Sequence, residues 1–259
     1  MKKILTLFVL TILTVSTVFA NGTKESQEQF ILGLDDSFPP MGYRNADNEI
    51  VGYDIDLAKE VTSRMGVELV LQPIDWSAKE QELATGNIDC IWNGFTITPD
   101  REKVVLFTEP YLNNSQILVV KGDSPYKSVD DLKGKTVGLQ GGSTASDALN
   151  DAPEFKASLD DVIEFGENLT ALMDLEAGGV DAVVLDLFVA NDNIKRSGKD
   201  FRILDGELAK EEYGIGFRKS DVELRDEVQS TLEEMAKDGT IAEISTKWFG
   251  MDISVVGKN

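Results

Sequence analysis

The chain has 259 residues, 42% of them hydrophobic and 27% charged, with 22 glycines, 7 prolines and one cysteine. That composition is globular and excludes collagen, coiled coil and extended disorder. Lys and Arg number 25 against 46 Asp and Glu, a net charge of −21 that leaves no positive footprint for nucleic acid or an anionic membrane. Histidine is absent, which removes His-dependent triads, imidazole bases and His-based metal sites. A lone cysteine allows neither an internal disulfide nor a thiolate metal cluster, so no metal and no cofactor is expected.

Lys2 and Lys3 precede an apolar run over residues 4–15, and Val18-Phe19-Ala20 ends on a small residue. This is the pattern of a secretory signal peptide, residues 1–20, cleaved after Ala20. The run is too short for a membrane span, and no later stretch approaches about 20 apolar residues. No cysteine stands near the cleavage point, so a lipid anchor is not expected and the product belongs in the periplasm. Residues 21–27 are polar and read as a flexible lead-in.

Residues 30–34 read as a strand, and residues 54–65 as a helix with Leu57, Ala58, Val61 and Met65 on one face and Gly66 as its stop. A strand over 67–74 and a short helix over 78–85, ended by Gly86, come next. Strands follow over 88–92, 117–120 and 136–139, then a helix over 169–177 and a buried strand over 180–185. Residues 187–196 are helical, 201–204 and 213–217 are strands, and 222–237 form a long helix with Leu224, Val228, Leu232 and Met235 inward. Alternating strands and helices predict an α/β fold with mostly parallel sheets.

The pattern L-x-x-G-x-[IV]-D-x-[IV] occurs twice, beginning at Leu83 and at Leu175. Each copy reads as a helix end, a glycine cap and a buried strand. The separation is far too long for a solenoid period and suits two similar lobes.

The opening Gly33-Leu34-Asp35-Asp36-Ser37-Phe38-Pro39-Pro40-Met41 and Val51-Gly52-Tyr53-Asp54-Ile55-Asp56-Leu57 resemble the extracytoplasmic amino-acid-binding proteins of ABC importers, solute-binding protein family 3. Thr96-Ile97-Thr98-Pro99-Asp100-Arg101, Glu109-Pro110-Tyr111, Asp131-Leu132-Lys133-Gly134-Lys135, Gly142-Ser143-Thr144, Gly179-Val180-Asp181-Ala182 and Lys247-Trp248-Phe249-Gly250 follow the same family in the same order. The resemblance spans about residues 28 to 250. It implies a two-lobed Venus-flytrap (type II periplasmic-binding-protein) fold, crossed twice by the chain. One lobe would hold residues 28–115 and 213–259, the other residues 116–212, and the lobes would hinge shut on one amino acid. The closed form would then be recognised by the transmembrane subunits of a permease, with the protein a soluble monomer.

A free amino acid brings a carboxylate, an ammonium and a side chain, and each needs its own partner. Arg101 offers a planar two-pronged donor for the carboxylate, and in the family the Arg of this Thr-x-Thr-x-x-Arg segment takes that part. Gly142, Ser143 and Thr144 stand between a strand and a helix, where backbone N–H groups form an anion site and Ser143 can also cap the helix. The Walker and dinucleotide glycine patterns are absent. Asp186 ends a buried strand, and the resemblance gives it the α-ammonium, together with the Gly94 carbonyl and the Thr96 hydroxyl. Phe38 and Trp76 match the aromatic walls around the side chain. Trp92, Trp248 and Cys90 read as structural.

Asp35 lies where the family reads the distal end of the ligand, and a carboxylate there favours a cation or an amide donor over an acid. With two aromatic walls for cation–π contact, arginine or lysine is the expected ligand. Asn93 could instead tune the site to glutamine or another polar neutral amino acid. Two other classes stay open: a cyclohexadienyl dehydratase-like enzyme, which needs a general acid in the cleft, and a stand-alone sensor.

Overall fold

The two copies of the repeated pattern fold alike in the computed structural model, which describes residues 28–258. One ends the helix Lys79–Thr85 on Gly86 and the other ends Asn168–Ala177 on Gly178, both glycines in the left-handed region at φ 78° and 85°. The aspartate of each copy clamps the neighbouring parallel strand. Asp89 donates its N–H to the Ile31 carbonyl (2.7 Å) and accepts the Ile31 N–H on its carboxylate (2.9 Å). Asp181 repeats both contacts with Thr136, at 2.8 and 3.0 Å. The echo is therefore structural: it anchors one strand in each of two sheets.

The first sheet runs in the order Glu68–Pro73, Gln29–Leu34, Cys90–Ile91, Gly216–Arg218, Val105–Phe107. The second runs Asp161–Phe165, Thr136–Gln140, Ala182–Asp186, Leu112–Lys121, Phe201–Ile203, with Ala209–Tyr213 also paired to Leu112–Lys121. Pairs formed by strands before a helical crossover are parallel, as between Gln29–Leu34 and Glu68–Pro73 and between Thr136–Gln140 and Ala182–Asp186. Those involving Leu112–Lys121 or Gly216–Arg218 are antiparallel. The expected mostly parallel arrangement is thus corrected to two mixed sheets. Its cause is topological: the first sheet takes residues 29–107 and 216–218 and the second takes residues 112–213, so the chain enters and leaves each sheet against the parallel grain.

In the strand Gln29–Leu34, alternate residues serve opposite faces. Phe30, Leu32 and Leu34 join Leu57 and Val61 of the helix Tyr53–Met65 and Val228, Leu232 and Met235 of Val222–Asp238. Ile31 packs instead with Leu83, Ile88 and Phe95. In the second sheet Leu118, Val120, Val137 and Leu139 meet Ala145 and Leu149 of the helix Thr144–Asn150. The expected strand over 213–217 is interrupted: Ala209–Tyr213 belongs to the second sheet and Gly216–Arg218 to the first. The expected strand over 88–92 shortens to Cys90–Ile91, while that over 117–120 extends to Leu112–Lys121. Asp161–Phe165 and the terminal helix Thr240–Phe249 add to the expected set. The signal peptide and lead-in fall outside the described residues.

Candidate functional site

A narrow cleft lies where three strands end: Asp35 follows Gln29–Leu34, Gln140 ends Thr136–Gln140 and Asp186 ends Ala182–Asp186. Such carboxyl ends are where α/β sheets bind ligands. Phe38, Trp76, Asn93, Gly94 and Thr96 line it from the side of the first sheet, together with Arg101, and Ser143 and Thr144 from the side of the second. Ten of the residues expected from sequence therefore share one wall system. Gly142 is exposed and does not line it; its carbonyl instead accepts Lys79 Nζ at 2.8 Å and Arg101 Nη2 at 3.4 Å.

Arg101 sits in the short helix Pro99–Glu102, whose cap Thr98 accepts the Arg101 N–H at 3.2 Å. Its guanidinium lies over the Phe95 ring at 4.5 Å, donates to the Thr96 carbonyl at 2.8 Å and stands 3.8 Å from Glu80. Burial draws its pKa down from the usual value, and Glu80, Asp147, Glu211 and Asp186 oppose that shift. A guanidinium so placed stays charged and keeps unspent N–H donors. Lys79 is buried beside it, over the Trp76 ring at 5.1 Å. Burial and then the Arg101 charge bring the Lys79 pKa down to about 8.

Ser143 caps the helix Thr144–Asn150 by accepting the Ala145 N–H at 3.3 Å, and its hydroxyl donates to the Gln140 carbonyl at 2.7 Å. The cap brings the helix N-terminus, with its partial positive charge, to the cleft opposite Arg101, whose Nη2 lies 3.4 Å from the Gly142 carbonyl. This end suits a carboxylate.

Asp186 stands at the cap position of the helix Leu187–Ser197 without making a capping bond. Its Oδ1 accepts Asn114 Nδ2 at 2.6 Å and the Tyr213 hydroxyl. Burial first, and then the Glu211 charge, push its pKa up to about 7. Gly94 adopts φ 58°, and a Cβ there would come within 2.9 Å of the Phe38 ring and 3.1 Å of the Tyr213 ring. Only glycine fits that turn. Its N–H donates to Asp54 Oδ2 at 2.7 Å, and Tyr111 OH reaches the same oxygen at 2.9 Å. Asp54 is fully buried, and burial pushes its pKa up to about 7 against those two donors.

At the far end, Asp35 Oδ1 accepts the Ser37 N–H and hydroxyl at 2.8 and 2.7 Å, while Oδ2 accepts Gln140 Nε2 at 2.7 Å across the cleft. The Gln140 amide is fixed in turn: Nε2 also donates to the Gly166 carbonyl and Oε1 accepts Asn168 Nδ2. Asn93 Oδ1 accepts the Asp35 N–H, and its Nδ2 is buried with no hydrogen-bond partner. Sequence reasoning missed Gln140, Lys79, Glu211 and Asp54. Each acts through contacts that only the fold brings together. Trp92 and Cys90 are fully buried, and Trp248 donates its indole N–H to Asp56 at 2.7 Å, structural parts as expected.

Among the described residues no group of three or more His, Cys, Asp or Glu is gathered to hold a metal ion, and no helix is long and apolar enough to cross a membrane. Residues 30–251 match the family described as bacterial extracellular solute-binding proteins, family 3. The L-cystine-binding protein TcyJ of Escherichia coli (strain K12) is 31% identical over 226 residues, 86% of this chain and 84% of that protein. The arginine-binding extracellular protein ArtP of Bacillus subtilis (strain 168) is 30% identical over 256 residues, 96% of this chain and 98% of that protein. A solved ABC uptake transporter substrate-binding protein from Streptococcus pneumoniae, with bound histidine, superposes with a TM-score of 0.85 at 35% identity, covering 87% of this chain and 94% of that one. On that matched span, and with two mixed sheets flanking a cleft at their strand ends, the chain belongs to family 3 of the bacterial extracellular solute-binding proteins and has their two-lobed fold.

Proposed function

We propose that this protein captures a free amino acid, arginine or lysine by preference, in the cleft and delivers it to a membrane permease. The α-carboxylate would lie against Arg101 and the N-terminus of Thr144–Asn150, and the α-ammonium against Asp186, the Gly94 carbonyl and the Thr96 hydroxyl. Phe38 and Trp76 would enclose the side chain. The two lobes, residues 28–115 with 213–259 and residues 116–212, would close around it by a hinge at the paired strands Leu112–Lys121 and Ala209–Tyr213. Names of the relatives support an amino-acid ligand: they include cystine, arginine and histidine binders. A leader over residues 1–20 places the mature protein in the periplasm on this reading, as a binder with no catalytic step.

One observation carries the cationic preference. At the far end both Gln140 amide protons are spent, on Asp35 and on the Gly166 carbonyl, so the charged group that end offers a ligand is the carboxylate of Asp35. A buried carboxylate beside two aromatic faces favours a donor-rich cation and rejects an acidic side chain. The unpartnered Asn93 Nδ2 supports the second reading, glutamine, because it could meet a side-chain carbonyl. Isothermal titration with arginine, lysine, histidine, cystine, glutamine and glutamate decides between them. Arginine or lysine should bind tightest and glutamate not at all; absence of binding by any of the six would overturn the reading.

A further inference from the structure

Glu211 is a buried acid outside the cleft lining, on the second of the two crossing strands. Its Oε2 collects three donors: the Thr96 hydroxyl (3.1 Å), Asn114 Nδ2 (2.9 Å) and Gln116 Nε2 (3.1 Å). Thr96 and Thr144 hydroxyls are 3.3 Å apart, and Gln116 Nε2 lies 3.4 Å from the Thr144 hydroxyl. With three donors converging on it, Oε2 accepts from each and sets the direction of this ring. Thr96 gives its one proton to Glu211, Thr144 gives its own to Thr96, and Gln116 donates to both Thr144 and Glu211. One lone pair is then left on the hydroxyl of Thr96, a residue that lines the cleft. Asn114 Nδ2 is shared between Glu211 and Asp186 Oδ1, which puts two buried carboxyl groups on one donor.

We propose that Glu211 is the positioning residue of the ammonium end: it orients the Thr96 hydroxyl as an acceptor and holds a proton on Asp186 until a ligand ammonium displaces it. This rests on the amino-acid reading above. With the cleft empty, two carboxylates sharing Asn114 repel, and the repulsion is relieved by protonating Asp186. An arriving ammonium supplies the missing positive charge, and the Asp186 proton leaves to the buffer. Binding and proton release are then reciprocal.

The surroundings allow this linkage to be read. Leu112–Lys121 presents neutral Asn114 and Gln116 to the pair, and Ala209–Tyr213 presents Tyr213, whose hydroxyl is pushed far out of the working range by burial and by Asp186. Pro99–Glu102 contributes Arg101, which feels both carboxylates and stays charged, and Thr144–Asn150 contributes neutral Thr144 and, farther off, Asp147. Lys210 is exposed and pairs with Glu207, and Glu212 is exposed. Two further buried groups titrate near neutrality, Lys79 beside Arg101 and Asp54 behind Gly94, and neither draws its shift from Glu211, so the Asp186 contribution is read from the change that Glu211→Gln produces.

The test is calorimetric titration of L-arginine between pH 5 and 8, in two buffers of different ionisation enthalpy, for the wild type and for Glu211→Gln. In the wild type, affinity should fall by up to about tenfold per pH unit below neutrality, with a fraction of a proton released per ligand near pH 7. In Glu211→Gln the fall should move to lower pH and the proton release at pH 7 should shrink, while the α-hydroxy analogue of arginine, which has no ammonium, should bind without proton release. A loss of affinity equal at every pH would mark Glu211 as merely structural and overturn the proposal, as would a wild type that releases no proton. If arginine, lysine, histidine and glutamine all failed to bind at pH 8, the amino-acid reading itself would fall, and this inference with it.

Discussion

Replacing Asp35 by asparagine separates two effects at the far end of the cleft. Asn keeps an oxygen for the Ser37 N–H and hydroxyl, but its amide nitrogen now faces Gln140 Nε2, which bonded Asp35 at 2.7 Å. Gln140 cannot turn to meet it, because Asn168 donates to Oε1 and the Gly166 carbonyl takes the other proton. A hydrogen bond across the cleft thus becomes a donor–donor contact, and every ligand that depends on closure should lose about 1–3 kcal/mol. A cationic side chain loses in addition its charge-assisted contact, about 1.5–3 kcal/mol. At about 1.4 kcal/mol per tenfold, the ratio of arginine to glutamine affinity should drop roughly ten- to hundred-fold, on top of a shared loss. Arginine, lysine and glutamine would be titrated into wild type and Asp35→Asn in one buffer at one salt concentration. Equal losses for all three would refute the cationic end. Unchanged glutamine binding would refute the contact across the cleft as a closing element.

Arg101→Ala should weaken every amino acid by about 2–5 kcal/mol, thirty-fold or more, since it leaves a desolvated carboxylate underpaired. It should also lower the melting temperature, because the carbonyl of Thr96 loses its donor and Phe95 its stacked cation; Arg101→Lys, which keeps the charge without the fork, should bind at an intermediate level by titration. Asp54, with a folded-state pKa raised to about 7, holds a proton in the native state that the unfolded chain has lost between about pH 4 and 7, so its share of stability falls as pH rises through that window. The melting temperature of Asp54→Asn relative to wild type should therefore improve from pH 5 to pH 8, and a difference constant with pH would refute the buried-acid assignment.

What could be read from the sequence was whatever depends on local spacing. The Thr-x-Thr-x-x-Arg segment is one: Thr98 caps the turn that presents Arg101, and Thr96 lies five residues before it, so capping chemistry alone brings the two together. Asp186 is another, since a buried apolar strand that ends on an acid delivers it to the carboxyl end of the sheet. Asp89 and Asp181 announced two lobes by repeating one pattern, and they proved to make the same strand clamp. Gln140 carried no such signal. In sequence it is one more polar residue at a strand end, and its part in the cleft comes from meeting Asp35, 105 positions away.

Glu211 shows most directly why the rest was hidden. Lys210, Glu211 and Glu212 are three charged residues in a row, and nothing local says which of them is inside. The antiparallel pairing of Leu112 with Tyr213 and of Asn114 with Glu211 decides it, because a strand turns alternate side chains to opposite faces. Tyr213 and Glu211 face in, while Lys210 and Glu212 face solvent. A register shifted by one residue would expose Glu211, bury Glu212 and remove the acceptor that gathers Thr96, Asn114 and Gln116. The same strands that carry the chain between the lobes therefore fix the polar groups behind the cleft. On the proposed reading, a hinge motion about that pair would move Thr96 and Thr144 relative to Glu211 and so couple the geometry of the ammonium end to closure itself.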